Sequence, residues 1–204
     1  VLAVYRMSGT HPDVRLATND PGEPLIDGGL EGIVLPAAVG GDALAAIAKA
    51  VTGAYLSTSN GNAFTTRTAN QIVQEHFNPG EFNQPSGPLF GVQFSQLACS
   101  DFMLAFTGGG SSPGPQRSPL GLSADPGGLP LYKDGVLVGG VGVMADGEYG
   151  IDRNILDFDT DTDEQIALAA TFGFTPPDDI RANRITVEGK TLRIEMDAVH
   201  DVSR

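Results

Sequence analysis

The sequence contains almost no cysteine and no tryptophan: Cys99 is the single cysteine among 204 residues. One cysteine excludes an internal disulfide, a CxxC redox pair and a zinc site built from several thiolates. A chain of this length can bury a sizeable core without disulfides or a structural metal. We therefore predict a single domain over residues 1–204.

Basic residues are also scarce, with 12 Lys and Arg against 25 Asp and Glu and a formal net charge of −13. Phosphate backbones repel such a surface, so we predict no nucleic-acid partner. No apolar run reaches the about 18–20 residues that a transmembrane helix needs, so we predict no membrane span.

The first residues, VLAVYRM, are typical of a strand, so we do not predict a signal peptide in them. We expect that an upstream segment has been lost, and a secretory signal could have been lost with it. The predicted location is periplasmic or secreted.

Glycine and proline are abundant, with 27 and 14 residues, and they predict long loops at about 8–41 and 78–124. Apolar residues at helical spacing predict one helix over 43–55, with Asp42 as its N-cap, and a second over about 66–77. A third helix is predicted from Asp163 to about Phe172, where Gly173 and two prolines stop it.

Two hairpins are predicted in the second half of the chain. Leu129–Lys133 and Val136–Met144 flank Asp134-Gly135, a pair that favours the type I′ turn because Gly tolerates positive φ. A second hairpin is predicted over 184–196, with alternating apolar and polar residues that give one buried face. Together these elements predict an α+β fold with an antiparallel sheet flanked by helices.

A glycine-rich match to a nucleotide-binding motif lies at Gly140-Val-Gly142-Val-Met-Ala145. Such a motif needs its glycines in a turn between a strand and a helix, whereas these lie inside a predicted strand. We therefore reject a dinucleotide site. Glycine at 140 and 142 instead keeps side chains off the strand where another backbone, or a flat ligand, packs closely.

An alternating run of carboxylates at 157–164 predicts two alternative roles. Asp157, Asp159 and Asp161 offer oxygen ligands for Ca²⁺, although Thr162 and Leu168 occupy the places where an EF-hand needs Gly and Glu. Alternatively, the acidic residues at 161–164 cap the following helix and complement its dipole.

Three side chains on or near the first two helices are candidate ligand contacts. His76 either offsets the dipole at the end of the second helix or serves as an axial haem ligand. Arg67 either forms a structural salt bridge or binds a carboxylate such as a haem propionate. Tyr55, like Tyr132, either packs in the core or contacts a porphyrin. No nucleophile elbow or metal-hydrolase spacing is present, so we do not predict an enzyme.

The hairpin sequence GGLPLYKDGVLVGGVGV at 127–143 resembles the GlcG/HbpS-type family, also called the haem-degrading or PduO C-terminal-like family. AFTTRTA at 63–69 resembles the long bacterial members of that family that bear insertions, and DEQIALAATFGF at 163–174 resembles the segment after the hairpin. The opening VLAVYRM is similar to the second strand of the family's first hairpin. The helix and strand that usually precede it are not in this sequence.

The resemblance implies an antiparallel sheet flanked by helices, assembly into homo-oligomers, and binding of haem, a corrinoid or iron in some members. Relative to compact members, 8–41 and 78–124 are insertions. The leading hypothesis is a haem- or tetrapyrrole-binding protein with its site between the helices at 43–77 and the glycine face of the hairpin. The contacts expected there are those of His76, Tyr55, Arg67, Gly140 and Gly142.

The alternative hypothesis is a structural or assembly module. In it the glycine strand packs against a partner subunit to form an oligomer, and Ca²⁺ is held on the acidic loop 157–164. A third hypothesis, an enzyme acting on a small hydroxy acid or on haem, needs a buried acid–base pair that the sequence does not identify.

Overall fold

A three-stranded antiparallel sheet forms the centre of the structure. The structure is a computed structural model that describes residues 1–7, 40–75, 86–91, 120–153, 161–187 and 189–193. The strands stand in the order β1-β3-β2, so that β1 lies beside the last strand of the hairpin. Their bounds are β1, Leu2–Arg6; β2, Gly128–Lys133; and β3, Val136–Val143.

The hairpin of β2 and β3 confirms the prediction from the sequence. Asp134 and Gly135 occupy its turn with φ of 51° and 79°, the positive values that a type I′ turn requires. The register shifts between Leu131 and Tyr132, where the pairing is locally irregular. Because both strands are almost entirely buried, this hairpin is the centre of the core.

In the described part of the chain, three α-helices accompany the sheet, which confirms an α+β fold. They are α1, Gly40–Tyr55; α2, Thr66–Val73; and α3, Thr162–Ala170. Helix α1 begins before the predicted N-cap, so Asp42 lies in its first turn and complements the dipole from there. Asp161 is the N-cap of α3, and its side chain accepts a hydrogen bond from the Glu164 amide.

Helix α1 covers one face of the sheet at very short range. A Cβ atom at Gly140 would overlap the carbonyl oxygen of Ala50, and one at Gly142 would overlap that of Ala46. Gly53 meets the backbone of Leu129 in the same way from the helix side. The glycines are therefore required because a helix backbone packs directly on the strand.

Helix α3 covers the opposite face of the sheet. Side chains alternate along a strand, so Val141 and Val143 point away from α1. They form a buried cluster with Leu129 and with Ala167 of α3. The hairpin is thus enclosed by helices on both faces.

Helix α2 is shorter than predicted, because it ends at Val73 and not at Phe77. Gln74 already has an extended backbone, with ψ of 158°. Residues 86–91 then supply donors to the carbonyl groups at the helix end: Gly87 N bonds to Gln74 O at 3.0 Å and Leu89 N to Ile72 O at 2.8 Å. This capping by a distant segment replaces the last helical turn.

The second predicted hairpin forms a ladder of two residue pairs in the described residues. Its strands are β4 (Thr186–Val187) and β5 (Lys190–Thr191), and two 3₁₀ turns at 178–180 and 182–184 precede them. The buried side chain of Leu192 follows and packs with Ile72 and Val73 of α2. The rest of that prediction, at 194–196, lies outside the described residues.

Most of the two predicted insertions, 8–41 and 78–124, also lies outside the described residues. Within the described part of the chain, no helix has the length and the apolar character needed to cross a membrane.

Candidate functional site

A fully buried lysine lies at the centre of the polar interior. Lys49 is on α1 and is 0% exposed. Its ammonium group contacts the carboxylates of Asp125, which precedes β2, and of Asp163 in the first turn of α3, the latter at 2.5 Å. A buried cation needs such pairing because its desolvation is costly. The three side chains therefore join α1, the segment before β2 and α3.

The second oxygen of each carboxylate holds the loop that follows β3. Asp163 Oδ1 accepts hydrogen bonds from the backbone N–H groups of Ala145 at 2.7 Å and Asp146 at 3.3 Å. Asp125 Oδ1 accepts one from Gly150 at 2.8 Å. The loop 145–152 is thus attached to the buried ion pairs through its backbone amides.

Burial raises the pKa of Asp125 to about 6, although the Lys49 charge and the Gly150 hydrogen bond both lower it. Loss of hydration is therefore the larger effect at this carboxylate.

Arg67 forms a second buried ion-pair system. It is 3% exposed and lies in the first turn of α2. Its Nε donates to Glu164 Oε1 at 2.6 Å and its Nη2 to Oε2 at 3.1 Å, while Nη1 donates to Asp152 at 2.7 Å. This bidentate pairing with Glu164 matches the planar geometry of the guanidinium group. The sequence left two roles open for Arg67, a structural salt bridge or a contact with a ligand carboxylate. In the structure Arg67 forms the salt bridge.

Three carboxylates lie close together where the loop 145–152 contacts α3. One oxygen each from Asp146, Asp161 and Asp163 lies within 4.8 Å of the others. Burial raises the pKa of Asp161, and the neighbouring charges of Asp163 and Asp146 raise it further. Carboxylate oxygens at this separation are ligands that Ca²⁺ or Mg²⁺ accepts. These three residues are the ones in the described part of the chain that could hold a cation.

The cluster shares Asp161 with the three predicted calcium ligands, and Asp163 also lies in the acidic loop 157–164. Asp161 belongs to it, whereas Asp157 and Asp159 lie outside the described residues. Asp161 also caps α3, so both of its predicted roles involve the same carboxylate.

The remaining candidate contacts for a flat ligand are dispersed. Gly140 and Gly142 lie against α1, and a flat ligand does not fit between them and the helix in this arrangement. Tyr55 is 57% exposed at the end of α1, and its ring lies 6.4 Å from that of Tyr5 at an interplanar angle of 48°. His76 lies outside the described residues. The predicted site between the helices and the glycine face is therefore filled by α1.

Sequence reasoning missed Lys49 and Asp125. One signal for Lys49 was present, because a single charge interrupts the alanine-rich surface of α1, between Ala46, Gly53 and the other small residues that meet the sheet. Asp125 stands in an irregular segment rich in glycine and proline, and nothing in its local pattern marks it.

Comparison with known proteins gives no match: no protein-family model, no curated protein and no solved structure matches this chain.

Proposed function

We propose that this chain binds a flat tetrapyrrole such as haem without catalysing a reaction on it. The observation that carries the proposal is the hairpin at 128–143, enclosed by α1 and α3 in an antiparallel sheet. This is the arrangement that the resemblance of the same segment to the GlcG/HbpS-type family implies. The hairpin thus supports the resemblance, and the resemblance supports the ligand.

The ligand site is proposed at the exposed end of α1, because the glycine face is closed. Tyr55 presents more than half of its surface to solvent beside the ring of Tyr5. Aromatic faces stack on a porphyrin, and a tyrosine phenol also serves as an axial ligand of haem iron in some proteins. His76, which in sequence follows closely after α2, is the second proposed contact.

Arg67 has a different role in this proposal from the one expected for a propionate contact. Its three bonds to Glu164 and Asp152 hold α2 against α3 and the loop 145–152. In this proposal the propionates of the ligand extend into solvent.

Titration with hemin tests the proposal through the Soret band. We expect the wild-type chain to shift the band, and Tyr55→Ala to weaken binding by about fivefold, since an aromatic pair contributes about 1 kcal/mol beyond its area. Tyr55→Phe separates ligation from stacking, and His76→Ala tests the second contact.

Phe172→Ala is the matched control, because Phe172 is 91% exposed at the far end of α3. An unchanged spectrum at stoichiometric hemin would contradict the proposal. Equal losses in Tyr55→Ala and Phe172→Ala would contradict the proposed site.

A second candidate function is a cation-dependent assembly module, favoured by the carboxylates of Asp146, Asp161 and Asp163 within 4.8 Å of one another. Calcium there would fasten the loop 145–152 to α3, and the exposed apolar side chains of β1, Leu2 and Val4, would pair between copies.

Calorimetric titration with Ca²⁺ tests this second function. We expect saturable binding by the wild-type chain and by Asp179→Asn, an exposed carboxylate away from the cluster. Asp146→Asn removes one charged ligand and should weaken binding by at least about tenfold. Absence of a binding heat, or an Asp146→Asn variant that binds like wild type, would contradict it. The assembly part requires a larger mass in size exclusion with Ca²⁺ than with EDTA.

A further inference from the structure

An exposed turn between α1 and α2 contains the only Asn-Gly pair of the sequence, Asn60-Gly61. Both residues are exposed, within a turn that runs from Ser57 to Asn62. Within the described residues, no hydrogen bond holds the Asn60 side chain. Its amide carbon is therefore accessible to the backbone nitrogen of Gly61, and glycine adds no side chain to obstruct the approach.

We propose that Asn60 is a site of spontaneous covalent modification, at which Thr58 limits the rate. The Gly61 nitrogen attacks Asn60 Cγ, a N–Cγ bond forms, and the Cγ–NH₂ bond breaks with loss of ammonia. The Gly61 nitrogen gives up its proton to solvent. Water then opens the five-membered succinimide and leaves either aspartate or isoaspartate at 60. Water is the only co-reactant, and no oxidation or reduction occurs.

The attacking nitrogen is restrained by Thr58. Gly61 N donates a hydrogen bond to Thr58 Oγ1 at 3.0 Å, and Asn62 N donates to the same oxygen at 3.0 Å. The hydroxyl thus holds the Gly61 N–H away from the Asn60 side chain. Attack requires this bond to break, and Thr58 therefore slows the reaction relative to an unrestrained chain.

The consequence reaches the hairpin, because the turn is docked on it. The Tyr132 hydroxyl donates to the carbonyl oxygen of Thr58 at 2.8 Å and to that of Asn62 at 3.2 Å. Leu137 N donates to Ser59 Oγ at 3.1 Å. Isoaspartate at 60 adds a methylene to the backbone between these anchor points, so the modified turn cannot keep all of them. The product also carries one more negative charge.

The experiment follows the tryptic peptide between Lys49 and Arg67 during incubation at mildly alkaline pH. This peptide contains both Asn60 and Asn62, and Asn62 is an internal control because its amide nitrogen donates to Leu56 O at 2.5 Å and Ala63 follows it. Mass spectrometry detects replacement of the amide, and chromatography separates aspartate from isoaspartate. We expect conversion at Asn60 and not at Asn62, and suppression of it in Gly61→Ala.

The role of Thr58 is tested by two variants. Thr58→Val keeps the size but removes the hydroxyl, and conversion should become about fivefold faster, the factor that corresponds to one net hydrogen bond. Thr58→Ser keeps the hydroxyl and should match wild type. Wild-type chain in urea gives the unrestrained rate, which should exceed that of the folded chain. Conversion of Asn60 no faster than Asn62 would overturn the site, and equal rates for Thr58→Val and wild type would overturn the restraint.

Discussion

Single residues in this protein are constrained most strongly where charges are buried. Lys49 lies in a helix that otherwise contacts the sheet through alanine and glycine, and both of its partners come from distant parts of the chain. Removal of the single partner of a buried charge costs about 3–5 kcal/mol in other proteins, whereas Lys49 has two carboxylate partners and keeps one of them when the other is neutralised. Lys49 therefore determines that the segment before β2 and the first turn of α3 pack around α1.

Gly142 is the residue at which the packing of α1 on the sheet can be tested. A Cβ there would overlap the backbone of Ala46 and Ala50, so Gly142→Ala forces the helix away from the sheet. We expect it to lower the free energy of unfolding by about 1–3 kcal/mol, as overpacking does, measured by urea denaturation.

Gly41→Ala is the matched control for that variant. Gly41 is in the same helix that Gly142 meets, and it has no atom within 4 Å of its Cβ position. The same replacement should therefore leave stability unchanged or raise it by up to about 1 kcal/mol through helix propensity. A Gly142→Ala midpoint equal to that of Gly41→Ala would contradict direct contact of the helix backbone with β3.

At the scale of elements, local signals predicted what depends on neighbours in sequence. The type I′ turn at Asp134-Gly135 needs only two residues with positive φ, and the hairpin followed from it. The capping of α3 by Asp161 is equally local. The end of α2 was misplaced because its terminal carbonyls are satisfied by residues 86–91, a contact that no periodicity in the sequence reveals.

The candidate site was predictable only in part, for the same physical reason. Asp161 is adjacent to the helix that it caps, and the acidic run around it was visible. Asp146 joins Asp163 only because the loop after β3 folds back so that its amides donate to that carboxylate. Lys49 and Asp125 meet across 76 residues of sequence, a pairing set by the packing of α1 on the sheet. Tertiary contacts of this kind leave no local pattern.

At the scale of the whole molecule, one polar network connects α1, α2 and α3 to the loop after β3. Lys49 anchors α1 to Asp163 of α3, and Arg67 anchors α2 to Glu164 in the same turn of α3. Among the described residues of this region there are two cations and six carboxylates, so negative charge is in excess. The carboxylates are Asp125, Asp146, Asp152, Asp161, Asp163 and Glu164. Neutralisation of one of them should therefore stabilise the fold.

The pH dependence of the free energy of unfolding measures this excess of buried negative charge. Asp125 has a folded-state pKa of about 6, above its ordinary value of 3.8, so the folded chain binds the proton more tightly than the unfolded chain. Its contribution destabilises the fold at pH 7 and is relieved as the pH falls through 6 toward 4. By linkage the gain is about 2 kcal/mol on acidification over this range.

Asp125→Asn removes the titration of this carboxyl group from the stability curve. Urea denaturation at a series of pH values between 7 and 4 should give a wild-type stability that rises relative to that of Asp125→Asn as the pH falls. Asp179→Asn, which alters an exposed carboxylate, should follow the wild-type curve. If the wild-type and Asp125→Asn curves stayed parallel, the excess of buried negative charge would not act through Asp125.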